Sequence, residues 1–298
     1  RGGIMGDRAG NFAVQNSDLV FAVGNRLSIR QVGYNWKTWA REAYVIMNDV
    51  CEDEMKKPTL HVDMPVWGDA KELLEKMAAR LTALSNDNEV AESLKLTDGK
   101  LFTGNGWIER CQNWKKDYPV VLPKHYEDKN HTNVYAFIKE LSNRLDEGQV
   151  TVVGNGSACV IKKDQRFIIN SAIASMGYDL PAAIGAAVAE HGNKALYGKS
   201  LGDDTVKDII LVTGDGSIQM NLQELQTIIH HKMPIKIFLI NNQGYHSIRQ
   251  TQTNLFNKNF VGIGPESGDL SFPDMSKLAP AYGYPYLSCD GNEHLSET

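Results

Sequence analysis

The chain has 298 residues and a formal net charge of −5, and no apolar run reaches the length needed to span a bilayer. That length suits two domains, and a mildly acidic balance offers nothing to attract nucleic acid or anionic lipid. Four cysteines (Cys51, Cys111, Cys159, Cys289) show neither paired metal spacing nor a disulfide framework, so a reducing cytoplasm is expected. The chain opens on Arg1 with no signal-like segment, and it is expected to be a piece of a longer protein.

In chain order, residues 19–24 and 44–50 read as strands, and 69–81 as an amphipathic helix with Leu73, Leu74, Met77 and Leu81 inward. Polar residues 85–106 read as a linker. Residues 107–118 follow as a helix whose Trp107, Cys111 and Trp114 recur at helical spacing and are expected to pack on the next domain. Beyond lie a helix at 134–145, a strand at 150–154 and a helix at 181–190. Residues 191–207 are longer and more polar than a crossover needs, and read as a surface insertion. The implied organisation is an α/β unit over 1–84, a linker with a helix over 85–118 and a second α/β unit over 119–298.

Two stretches with aliphatic runs, 209–217 and 235–242, bracket a helical segment that puts Leu222, Leu225, Ile228 and Ile229 on one face. Asn221 and Glu224 stand at capping-box spacing at its start. A strand, helix and strand of this length form a right-handed crossover, so both strands end at one sheet edge, where open α/β folds bind ligands. Asp215 follows the first strand and Asn242 the second. Two hard oxygens without cysteine or histidine beside them suit Mg²⁺ or Ca²⁺. Gly214 and Gly216 would let the backbone turn sharply beside an anion, and Ser217 adds a hydroxyl where helical amides favour phosphate. Taken alone, Gly-Asp-Gly is an ordinary turn; Asn242 at the matching strand end turns the reading toward a cation bridging a diphosphate.

At these residues the chain resembles the thiamine diphosphate-dependent enzymes, in their acetolactate synthase-like branch. The likeness rests on three stretches: Gly214 to Leu225, Ser175 to Gly185, and Asn16 to Arg26. It implies parallel-sheet, doubly wound domains: residues 1–84 as part of a central Rossmann-like domain and 119–298 as a diphosphate-binding domain truncated at its carboxyl end. It also implies thiamine diphosphate and Mg²⁺ as cofactors. Asp215, Asn242 and the Gly244 carbonyl would hold the metal, while Gly214, Gly216 and Ser217 would face the diphosphate. Gly154, Asn155, Gly156 and Ser157 would form a second diphosphate loop, their alternative being a plain strand-to-helix turn. Met176 would support the thiazolium, although core packing is the commoner fate of methionine. Tyr245 and His246 would lie beside the cofactor or substrate, a solvated loop being the other reading for the histidine. Adjacent His230 and His231 are expected to point apart.

The resemblance further implies cleavage of a 2-oxo acid next to its carbonyl, with the cofactor as electron sink, followed by protonation or carbon–carbon bond formation. The family's catalytic glutamate belongs to an amino-terminal domain and reaches across a subunit interface. None of these residues therefore takes its place, the chain alone is expected to be inactive, and a homodimer or homotetramer is implied. Several departures stand out. Thr251 replaces the tryptophan of a Gln-Trp-Gln stretch, and Asn155-Gly156-Ser157 replaces Gln-His-Gln. Arg26 and Arg30 persist without two acidic neighbours, and Cys51 stands where a second aspartate is usual after Asp49. FAD, ADP or an empty site in the first unit thus stay open. So do a decarboxylase, an aldehyde lyase and a non-catalytic relative.

Overall fold

The computed structural model describes residues 2–4, 6–86, 106–154, 162–170, 173–191 and 207–296. It divides into two compact units, Arg1–Val120 and Val121–Thr298. In the first, helix α1 (Arg8–Asn16) precedes three parallel strands, β1 (Leu19–Val23), β2 (Tyr44–Asp49) and β3 (Met64–Trp67), in the order β1-β2-β3. Asp7 caps α1 by accepting from the Gly10 amide at 2.6 Å. Met47 lies fully buried in β2, at the centre of a cluster with Ala22, Leu27, Val32 and Met55. The third strand is hard to read from sequence because it is four residues long and carries Pro65. Proline is tolerated there because β3 is an edge strand, where a missing amide donor breaks no ladder.

One expectation in this unit is corrected. Helix α2 (Ala70–Ser85) forms, capped by Asp69 on the amides of Lys71 and Glu72. Its apolar stripe does not turn inward: Leu74, Met77 and Leu81 are 50%, 37% and 43% exposed, and only Leu73 is half-buried. A stripe is buried only where another element covers it, and among the described residues of this unit none does. Helix α3 (Trp107–Asp117) packs on α1 within its own unit. Phe12 meets Trp114 at 5.9 Å and Tyr118 at 5.0 Å between ring centroids, in the inclined geometry aromatic quadrupoles favour.

The second unit is built on β4 (Val150–Val153), β5 (Arg166–Ile169), β6 (Ile209–Gly214) and β7 (Ile235–Ile240), all parallel in the order β5-β4-β6-β7. Helices cover both faces, which is why β4 and β6 are apolar at nearly every position. On one face Val152 and Leu211 pack with Leu180, Ala183 and Ala187 of α5 (Asp179–His191). On the other, Val153 and Val212 pack with Leu141 of α4 (Val134–Arg144), itself capped by Asn133. Each fully buried aliphatic side chain contributes roughly 1.5–3 kcal/mol. The architecture is a doubly wound α/β sheet.

Between β6 and β7 the chain makes a single helical turn, α6 (Asp215–Ile218), a 3₁₀ turn, and then α7 (Glu224–His230). The expected capping box is absent. Asn221 donates instead to the Gly177 carbonyl at 2.6 Å, and Glu224 accepts from the Thr227 hydroxyl at 2.8 Å. The side chain of Asn221 was committed to a distant loop, a pairing that spacing along one helix cannot reveal. His230 and His231 also differ from expectation, their rings meeting edge to face at 4.8 Å where α7 ends. Helices α8 (His246–Leu255) and α9 (Met275–Ala281) follow β7. Of the expected insertion, residues 192–206 lie outside the described residues.

Candidate functional site

Register places the site. Gly214 pairs with Ile240, so Asp215 and Asn241 are the next residues as β6 and β7 leave the same edge. Asp215 is 3% exposed. Its Oδ1 accepts from the Gly216 amide at 2.8 Å, and its Oδ2 accepts from the Gly244 amide at 3.0 Å across the two strand ends. Burial pushes its pKa above the ordinary carboxylate value, and the amides of Gly244 and Gly216 pull the other way. Asn242, two positions before Gly244, is exposed beside this carboxylate-bound loop. Gly244 has a φ of +149°, and a side chain there would overlap the Ile263 carbonyl. Its own carbonyl accepts from the His246 amide at 3.2 Å, which leaves one lone pair.

The donors at this edge fit a hard divalent cation. A buried carboxylate with unused lone pairs, an exposed amide and a backbone carbonyl are all oxygen ligands, and anionic oxygens of a ligand would complete the shell. Asp215 and Gly244 are in direct contact, and Asn242 lies on the same short loop.

Around this centre the other expected residues fall into three groups. Ser217 accepts from the Gly177 amide at 2.8 Å, so its oxygen holds the neighbouring loop and its hydroxyl proton alone is left for an anion. With Asn221 on the Gly177 carbonyl, this pins the segment carrying Met176. Met176 is 43% exposed, so it is not a core methionine. Gly214 is extended and faces open space, whereas a side chain on Gly216 would overlap the Tyr245 ring. The ring of Tyr245 also meets Phe272 at 5.6 Å, and His246 is exposed at the start of α8. Gly154 follows β4 and lies against Asp179, while Asn155, Gly156 and Ser157 lie outside the described residues.

Sequence reasoning passed over two participants. Asp179 is 1% exposed and accepts from the Thr213 hydroxyl at 2.5 Å, just behind Asp215. Its signal was a carboxylate in an otherwise apolar helix start. Arg249 approaches the Gln243 carbonyl at 3.4 Å and pairs with Glu266 at 2.9 Å, bracing the loop that bonds Asp215.

A second concavity lies at the carboxyl edge of the first sheet, a cavity of about 340 Å³ lined by Gly24, Arg26, Asn48, Asp49, Cys51 and Gly68 among others. Asp49 is buried and accepts from the Cys51 amide at 2.9 Å, and Arg26 is paired with Glu54. Asn48 is buried too, with Oδ1 lacking a partner among the described residues.

Two family models match the chain. Residues 146–298 match "Thiamine pyrophosphate enzyme, C-terminal TPP binding domain", and residues 1–77 match "Thiamine pyrophosphate enzyme, central domain". The chain belongs to the thiamine pyrophosphate enzyme family. Relatives from the branch include the acetolactate synthase large subunit of Cyanidium caldarium, 30% identical over 94% of this chain and 43% of the relative. That of Porphyra purpurea is 30% identical over 99% and 45%. The isozyme 3 large subunit of Escherichia coli (strain K12) is 29% identical over 95% and 44%. The chain thus spans less than half the length of these relatives. The cation-suited edge falls inside the cofactor-binding match and the 340 Å³ cavity inside the central-domain match. Among the described residues no helix is long and apolar enough to cross a membrane.

Proposed function

We propose that this chain is the central and cofactor-binding portion of an enzyme that uses thiamine diphosphate and Mg²⁺ to act on 2-oxo acids, by decarboxylation, carboligation or both. The observation that carries the reading is the bond from the Gly244 amide to the buried carboxylate of Asp215, which closes two strand ends around hard oxygen donors. When bound, the cofactor supplies an electron sink for the carbon–carbon bond cleaved next to the carbonyl.

The protein's own residues have positional roles. Asp215, Asn242 and the Gly244 carbonyl would hold the cation against the diphosphate. The Ser217 hydroxyl and the Gly154 loop would bind its oxygens, and Met176 would offer an apolar contact to the ring beyond. The Tyr245 ring lies against Gly216 and would help to exclude water from that side. His246, exposed at the start of α8, would face the substrate or the diphosphate. The intact protein would act as a homodimer or homotetramer in the cytoplasm.

Asp215→Ala should abolish cation-dependent cofactor binding, because losing the carboxylate leaves the diphosphate charge under-compensated. Calorimetric titration of thiamine diphosphate, with Mg²⁺ and with excess chelator, checks this. Equal affinity of wild type and variant in Mg²⁺ would sink the assignment.

A further inference from the structure

Asp179 is the first residue of α5, and its carboxylate lies between the ends of β4 and β6. On the β6 side, the Thr213 hydroxyl donates to Oδ2 at 2.5 Å. On its own helix, the Leu180 amide donates to Oδ1 at 3.0 Å. On the β4 side, a Cβ built on Gly154 would stand 2.5 Å from Oδ2, so the carboxylate occupies the space a side chain there would need. The Gly154 amide donates to the Val212 carbonyl at 2.9 Å, tying the same two strand ends together one residue away. Thr213 is as buried as Asp179, and it precedes Asp215 by two residues.

A carboxylate withdrawn from water and held by neutral donors is an expensive way to fill space. The amino end of α5 offsets part of that cost. What the charge supplies in addition is a short charge-assisted bond, stronger and more directional than a neutral one. That bond fixes the Thr213 rotamer. Two residues of chain reach only about 7 Å, so a shift at Thr213 is carried directly to the backbone of Asp215.

We propose that Asp179 is a positioning residue that sets the cation and diphosphate site through Thr213. This rests on the proposed function above. Groups that orient a metal ligand through a hydrogen bond typically change metal affinity by roughly 10- to 100-fold when removed.

The test uses the full-length protein with thiamine diphosphate and Mn²⁺ as probe ion, free Mn²⁺ being read by electron paramagnetic resonance well below the melting temperature. Thr213→Val keeps shape and removes the hydroxyl, and should weaken Mn²⁺ binding by about 10-fold or more. Thr213→Ser should restore it to within about threefold, since the bond to Asp179 returns. Asp179→Ala should weaken binding in the wild-type background and add nothing in the Thr213→Val background, as expected of two groups acting as one. Should Asp179→Ala fail to fold, the valine and serine pair still decides. A wild type that takes up no Mn²⁺ with the cofactor would refute the underlying functional reading. A wild type that binds while Thr213→Val binds equally well, or Thr213→Ser fails to rescue, would overturn the positioning role alone.

Discussion

Gly177 shows how a single residue holds the ligand edge in shape. Its φ of +81° is left-handed, and a side chain would overlap the Met220 side chain at its root, where no rotamer change gives relief. Its amide and carbonyl are both taken, by Ser217 and Asn221. Gly177→Ala should therefore combine backbone strain of about 1–3 kcal/mol with overpacking of similar size. Urea unfolding should show a loss of about 2–6 kcal/mol; a loss under about 1 kcal/mol would mean that the Met176 segment is free to relax. Thr251 poses a question of specificity at the same scale. It is exposed on α8, and its hydroxyl donates to the Ser247 carbonyl at 3.1 Å, so it offers an acceptor substrate less polarity than its chemistry suggests. Under the proposed function, threonine in place of a broad indole should widen the acceptor pocket, and a lost contact of that kind shifts discrimination by up to about a hundredfold. The full-length enzyme is expected to form acetolactate from pyruvate poorly. Steady-state kinetics giving kcat/KM of roughly 10⁴ M⁻¹s⁻¹ or more for that product would refute the expectation.

Among elements, helix α2 and strand β6 make opposite cases. Leu211 in β6 is fully buried between two helical layers, whereas Leu74 in α2 is half exposed. Leu211→Ala should cost about 2–5 kcal/mol, and Leu74→Ala no more than about 0.5 kcal/mol, when both are made in this chain and unfolded in urea. Comparable losses would mean that α2 is covered after all. The contrast also marks what a sequence reveals. β6 was legible because a strand buried on both faces must be apolar, β7 because its aliphatic run is broken only by Lys236, and their shared edge followed from the crossover, bringing Asp215 and the Asn242 loop together. Whether a stripe such as that of α2 is covered depends on elements elsewhere, which local periodicity does not encode. The same limit hid β3, whose Pro65 is permissible only at a sheet edge, and the true partner of Asn221. Asp179 escaped notice because its function lies in two contacts across the fold, to Thr213 and Gly154, each far away in sequence.

For the molecule as a whole, the decisive question is how much of a cofactor these 298 residues can grip. The groups at the β6–β7 edge are a carboxylate, an amide, a backbone carbonyl and a serine hydroxyl, all suited to a cation and its diphosphate. Under the proposed function Met176 would offer one apolar contact to a ring, and it is itself 43% exposed, so a heterocycle laid on it would stay open to water on its far side. Affinity should then reside almost wholly in the diphosphate end. Titrated against this chain in Mg²⁺, inorganic pyrophosphate is expected to compete with thiamine diphosphate at a Kd within about tenfold, a difference of about 1.4 kcal/mol or less. Turnover of pyruvate by the same chain should be undetectable, since the resemblance places the proton-transferring glutamate in a different domain. Preference for thiamine diphosphate over pyrophosphate by a thousandfold, or about 4 kcal/mol, would instead require a complete ring pocket within these residues. Measurable carbon dioxide release from pyruvate would require in addition a catalytic acid or base that the chain supplies itself.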